Sequence, residues 1–297
     1  MRIESLMKNW ENSLASYGTP GNFADDTLIK TIKGEALPIT LFESSGYVRR
    51  REFMDKIKKE KIQNGEEEIK CFLCDNVRQA KSKGNNLTLP FEEYKNYILC
   101  PNRFPFARGH FLLISKYHDS SEIKVGNTIT QEYLDVIKNI CEKYDLVAMR
   151  NHKFAGMSIP DHEHCHLIPR LLKDEKNKTV YCGGLLGSTK KPTPFNDKVF
   201  FTESDLDTIA FDKSLENNII EYLRRLEKED IIFTFVKDNE YFYLTPHQKQ
   251  CKGIGSGDTI YLKVNPSGES FSYDSHINLL KESIFTKGAF PWQKYIN

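Results

Sequence analysis

No stretch of this sequence approaches the roughly 18 to 20 consecutive apolar residues that a membrane-spanning helix needs. The opening segment, MRIESLMKNWENS, has no apolar core of the kind a signal peptide carries. Neither sign of charge prevails: 42 Lys and Arg stand against 41 Asp and Glu, for a net charge of +1. That balance removes any general electrostatic attraction to nucleic acid or to an anionic membrane and leaves only local patches. The expected location is cytoplasmic, where thiols stay reduced. The seven cysteines, an odd number, are then poor disulfide material and better read as metal ligands or small buried apolar residues. At 297 residues, with 39% hydrophobic and 28% charged, the chain is long enough for one large domain or two modest ones around a sizeable core.

Residues 1–70 read as an N-terminal extension, and positions 49–70 within it are dominated by charge, the pattern of a solvated helix or linker. From Cys71 short apolar runs alternate with turn signals. Positions 97–99 and 111–114 predict two strands of a hairpin, joined through a turn that Pro105 and Gly109 punctuate. Tyr133, Leu134, Ile137, Ile140, Cys141 and Tyr144 recur at helical spacing, and Thr128 with Gln131 matches a capping box at the start of that helix. Strands are expected at 146–149 and 162–168, on either side of a small-residue turn around Gly156, and a linker at 188–194. Beyond it the pattern predicts a helix over 215–226, a hairpin from 231–236 and 241–244, a strand over 259–264 and a last helix over 276–284. The recurrence of hairpin and helix is a weak sign of internal duplication.

Three of the eight histidines alternate within positions 161–168: His162, His164 and His166. On a strand successive side chains point to opposite faces, so the three imidazoles would share one face and Glu163, Cys165 and Leu167 the other. Cys71 and Cys74 form a CxxC, which is either a redox pair or half of a tetrahedral zinc site. There is no second CxxC, and Cys100, Cys141, Cys165, Cys182 and Cys251 are isolated. The completing ligands are most naturally histidines, with His118 and His162 as candidates. A second metal reading, in which His162, His164 and His166 together hold a catalytic ion, leaves the CxxC without a role.

Cys71-x-x-Cys74, then Asn102-Arg103-Phe104-Pro105, an apolar strand and His118, then Asn151 and the HxHxH segment, together resemble the histidine triad superfamily. The closest branch is the one containing galactose-1-phosphate uridylyltransferase and diadenosine tetraphosphate phosphorylase. The match spans roughly 71–170; a looser similarity to the phosphorylases covers 231–246 and the Gly-rich run 252–257. The resemblance implies an α+β fold, with a histidine triad-like antiparallel sheet, packed helices and a smaller C-terminal α+β part that is a degenerate second half. It divides the chain into the extension 1–70, a catalytic domain 71–187 and a C-terminal domain 195–297 that completes the substrate pocket. It implies structural zinc on Cys71, Cys74, His118 and His162, and His164 as the nucleophile, attacking an α-phosphorus to give a nucleotidyl-histidine. His166 would assist at the leaving group, and Asn102, Phe104, Asn151, Gly156 and Ser158 would bind the nucleotide. A homodimer is implied as well.

Activity is thereby expected on a dinucleoside polyphosphate or a nucleotide sugar. The uridylyltransferase and phosphorylase branches generally carry Gln where this chain has His166, as the hydrolytic members do, so nucleotidyltransferase or phosphorylase and hydrolase remain open. The competing reading is a zinc-stabilised module that binds or senses a nucleotide without turnover.

Overall fold

Residues 3–16, 27–33, 38–44, 46–65, 71–74, 77, 92–103, 105, 107–118, 129–152, 155, 159, 162–173, 179–181, 193–194, 196–201, 207–248, 260–263, 282, 284–286 and 288–296 are described by the computed structural model. The chain opens with a helix, Ile3–Ser16, then β1 (Thr27–Lys33), β2 (Pro38–Ser44) and a second helix, Gly46–Gln63. Then come β3 (Glu92–Glu93), β4 (Tyr97–Pro101), β5 (Phe111–Ser115), a helix Gln131–Tyr144, β6 (Leu146–Asn151) and β7 (His164–Pro169). Short strands follow: β8 (Leu171–Lys173), β9 (Thr179–Tyr181), β10 (Thr193–Pro194), β11 (Val199–Phe201) and β12 (Ile209–Asp212). The helix Glu216–Lys228, β13 (Phe233–Lys237), β14 (Tyr241–Pro246), β15 (Ile260–Lys263) and the short helix Gln293–Ile296 complete the order.

Ten of these strands form one sheet, in the order β10-β11-β12-β14-β13-β6-β7-β5-β4-β3, and every pairing in it is antiparallel. The fold is α+β, as expected. The β13–β6 pairing, Thr234↔Asn151 through Lys237↔Ala148, stitches the second half of the chain to the first in one continuous sheet. A separate sheet joins β1 and β2 antiparallel with β15 parallel to β2. The strand expected near 259–264 therefore pairs with the N-terminal segment, a partner no local pattern could name. Two sequence expectations shift. The helix at 131 is capped by Thr130, whose hydroxyl accepts from the Tyr133 amide, two residues after the Thr128 of the proposed box. β7 starts at His164, so His162 precedes the strand. The expected final helix falls mostly outside the described residues; within it Ile284 forms a bridge to His247.

One face of the sheet is covered by helices. Leu6, Trp10 and Leu14 of the first helix, Tyr133, Leu134, Ile137 and Ile140 of the third, and Ile219, Leu223 and Leu226 of the fourth meet Phe111, Leu113, Leu146, Ala148, Cys165, Leu167, Phe233 and Phe235 from the strands. Each buried aliphatic or aromatic side chain there contributes about 1.5–3 kcal/mol. The opposite face carries two smaller apolar clusters, Ile98, Cys100, Leu112 and Ile114 with Cys71 and Leu73 on one side, and Val147, Met149, Ile168, Val236 and Tyr243 on the other. His164 and His166 stand on β7 between them, across from Ile114 and Leu112.

Candidate functional site

Cys71 and Cys74 lie at the start of a short helical turn, His118 just beyond β5, and His162 just ahead of β7. One ligand atom from each lies within 4.8 Å of all the others. The contacts are Cys71 Sγ to His162 Nδ1 at 3.4 Å, Cys74 Sγ to His118 Nδ1 at 3.3 Å, Cys74 Sγ to His162 Nδ1 at 3.4 Å, and His118 Nδ1 to His162 Nδ1 at 3.3 Å. Ligands at about 2.0–2.3 Å from a tetrahedral zinc lie roughly 3.3–3.8 Å from one another; these four separations match that spacing, and the remaining pairs lie within 4.8 Å. His162 Nε2 donates to the Ser115 carbonyl at 2.8 Å, which puts the lone pair on Nδ1, toward the cysteines. The redox reading of the CxxC thus gives way to a cluster that can hold a metal.

The face-sharing expected for three histidines holds for two. His164 and His166 are neighbours on β7, with ring centroids 5.4 Å apart, while His162, outside the strand, turns to the cysteine cluster. Cys165 and Leu167 point into the helix-covered core as expected. His164 is 4% exposed. Its Nδ1 lies 2.7 Å from the carbonyl of His162, and a carbonyl only accepts, so Nδ1 carries the proton and Nε2 the lone pair. Burial, with the nearby Arg150 charge, pushes the His164 pKa down to about 4, so the imidazole is neutral at physiological pH.

His166 Nδ1 is 2.9 Å from Nε2 of His110, a pair in which one ring donates and the other accepts. Burial brings the His166 pKa down to about 3. A partly protonated His166, the state an ordinary imidazole would have near neutrality, is therefore replaced by a neutral ring whose N–H can still donate. His110 is fully buried and lies on β5's side of this face, with the amide of Asn102 3.2–3.3 Å from its ring nitrogens. Sequence reading missed His110; the available signal was its place in Gly109-His110, two residues before Leu112 on the same face of an apolar strand.

Of the residues expected to bind substrate, Asn102 is turned inward onto His110. Asn151 ends β6, and extending the β6–β7 register sets it opposite His164. Phe104, Gly156 and Ser158 lie outside the described residues. Arg150 and Glu163, also missed, form a buried bidentate ion pair behind the histidine strand, at 2.7 and 3.0 Å.

A family profile described as a domain of unknown function, DUF4922, matches residues 49–169, the stretch holding Cys71, Cys74, His118, His162, His164 and His166. No curated protein matches the chain in sequence. Among solved structures the chain is similar to yeast Ap4A phosphorylase Apa2 in complex with AMP, at TM-score 0.58 and 11% identity over 97% of this chain and 98% of that one. The same phosphorylase in complex with Ap4A aligns at TM-score 0.56 and 12% identity, with coverage of 97% and 98%. At such identities the likeness is one of fold, across the full length of both chains.

Proposed function

We propose that this chain is a nucleotidyl-transferring enzyme of the histidine triad superfamily that cleaves a dinucleoside polyphosphate at an α-phosphate, with inorganic phosphate as acceptor. The observation that carries the reading is the His164 Nδ1 bond to the His162 carbonyl, which leaves a neutral Nε2 lone pair on a face shared with His166, and with Asn151 by register. The fold shared with a phosphorylase whose solved structures hold AMP and Ap4A supports it.

In the first step His164 Nε2 attacks the α-phosphorus, forming an N–P bond as the bond to the bridging oxygen breaks and the remaining nucleotide leaves with that electron pair. His166 and Asn151 donate to the phosphoryl and leaving oxygens, assisted by residues around Gly156 and Ser158; Asn102 and Phe104 border the nucleoside. In the second step a phosphate oxygen attacks the same phosphorus, the N–P bond breaks and His164 regains its lone pair. Zinc on Cys71, Cys74, His118 and His162 would serve structurally, because four protein donors leave no open position for water. Residues 71–187 form the catalytic unit, 195–297 complete the pocket and 1–70 are the extension; the protein works in the cytoplasm as a homodimer. Among the described residues no helix is long and apolar enough to cross a membrane.

A panel of dinucleoside polyphosphates, nucleotide sugars and nucleoside diphosphates, labelled at the α-phosphorus and assayed with and without phosphate, tests the reading. The expected outcome is acid-labile label on the protein, absent in His164→Ala, and a nucleoside diphosphate product only when phosphate is present. A monophosphate product regardless of phosphate would make the enzyme a hydrolase, as His166 at the third triad position allows. Tight nucleotide binding with no label would make it a binding module.

A further inference from the structure

The paired register between β6 and β7 runs from Leu146↔Pro169 to Met149↔His166 and ends two residues short of His164. Beyond that point the two strands are tied by side chains. Arg150 Nε donates to Glu163 Oε1 at 2.7 Å and Arg150 Nη2 to Oε2 at 3.0 Å, with the side chains 1% and 4% exposed. The guanidinium lies 5.8 Å from the Tyr133 ring centroid, so the pair is held between the strands and the helix Gln131–Tyr144. Glu163 sits in sequence between His162, which faces the cysteine cluster, and His164; Arg150 sits next to Asn151. The backbone of Glu163 is fixed too, because its carbonyl accepts from the Ser115 amide at 3.0 Å while the Ser115 carbonyl accepts from His162.

We propose that the Arg150–Glu163 pair is a positioning device for His164: from the far face of the sheet it locks the peptide between the metal ligand and the nucleophile, so that the His162 carbonyl stays aligned with His164 Nδ1. The bidentate fork supplies direction that a single contact would not. An ion pair is a costly way to fill such a place, since an apolar pair of similar volume is often as stable or more so. Orientation is what it adds. This proposal rests on the nucleophile role given to His164 above.

The test uses the full-length, metal-loaded protein. Arg150→Met alone would strand a buried carboxylate and destabilise the fold, so the informative variant is the double change Arg150→Met with Glu163→Leu, beside Glu163→Gln as the conservative one. Four quantities are measured: metal content, AMP affinity, the single-turnover rate of labelling by diadenosine tetraphosphate labelled at the α-phosphorus, and solvent exchange of the His164 Nδ1 proton by NMR. The double variant is expected to keep its metal and bind AMP within about twofold of the parent. Its labelling should slow by about 100-fold, the effect of a misplacement on the order of 1 Å, and its Nδ1 proton should exchange at least tenfold faster. Glu163→Gln should recover most of both. Labelling at the parent's rate with an equally protected proton would overturn the proposal. Should the parent itself never label, the nucleophile reading fails and the proton alone decides: faster exchange in the double variant sustains positioning, unchanged exchange refutes it.

Discussion

Buried imidazoles divide by the work their second nitrogen does. His162 and His164 each give one N–H to a backbone carbonyl, Ser115 and His162 respectively, and in doing so aim the other nitrogen, one at two thiols and one at open chemistry. His247 is the contrasting case: its Nε2 meets the Thr234 hydroxyl at 2.9 Å, its ring is 4% exposed, and burial, with His152 nearby, lowers its pKa to about 3. The unfolded chain takes a proton there below about pH 6.5 and the folded chain only near 3, so the unfolded state binds more protons in between. Stability is complete above pH 6.5 and falls as pH falls through that window, by up to about 1.4 kcal/mol per pH unit from this residue. Urea titrations at pH 7.5 and 5 should show His247→Gln losing less stability between them than the parent. An equal loss would deny the residue this part. The thiols divide as well: Cys100 and Cys165 are pushed up to about 12 by burial and are inert, whereas Cys71 and Cys74 converge with His118 and His162 in a cluster that could hold a metal.

Elements position these residues through a few tight approaches. The first helix, in a segment assigned no chemistry from sequence, donates from Trp10 Nε1 to the carbonyl of His110 at 3.0 Å. It can come that close because Gly109, at φ +73, has no Cβ; a methyl there would stand 2.5 Å from Met7 Sδ and 2.8 Å from Pro169 Cγ. Gly109→Ala should therefore cost about 1–3 kcal/mol in a denaturant titration, from the left-handed backbone and the displaced helix together. A loss under a few tenths would show the helix to be loosely docked. The αL cap Asp145 ends the helix Gln131–Tyr144 and receives Arg170 and Asn239, tying the start of β6, the end of β7 and the β13–β14 turn at one carboxylate. The amphipathic period made that helix legible, and short apolar runs bounded by turn signals made β4, β5 and β6 so. The start of β7 was not, because the turn before it bends His162 out of the alternating pattern, and alternation cannot report where a strand stops.

At the scale of the whole molecule the cluster that could hold a metal gathers three separate pieces of chain, positions 71–74, 118 and 162. Because such a set is assembled only in the folded state, a metal bound there would act as folding energy. Cys71→Ser and Cys74→Ser should drop the metal content from one ion per chain toward zero, and a strong chelator should lower the thermal midpoint of the parent by on the order of 10 °C. Stoichiometric metal retained in Cys71→Ser would instead place the ion on the triad histidines. The single ten-stranded sheet is a finding of the same scale: β13 of the second half pairs with β6, which pairs in turn with the histidine strand β7, so one strand separates the second half from the histidines.

Local order in the chain decided the helices Gln131–Tyr144 and Glu216–Lys228, the hairpins β4–β5 and β13–β14, the alternation that puts His164 beside His166, and the residue types of the Cys71, Cys74, His118 and His162 cluster, since period and spacing are properties of neighbours in sequence. What only the tertiary structure decided are the relations between distant segments: the parallel pairing of β15 with β2, the His110–His166 contact, the Arg150–Glu163 lock, and the burial that keeps His164 and His166 neutral. A pKa and a tautomer depend on what surrounds a ring in space, and residues 13 to 219 positions apart along the chain become each other's surroundings only when the sheets close.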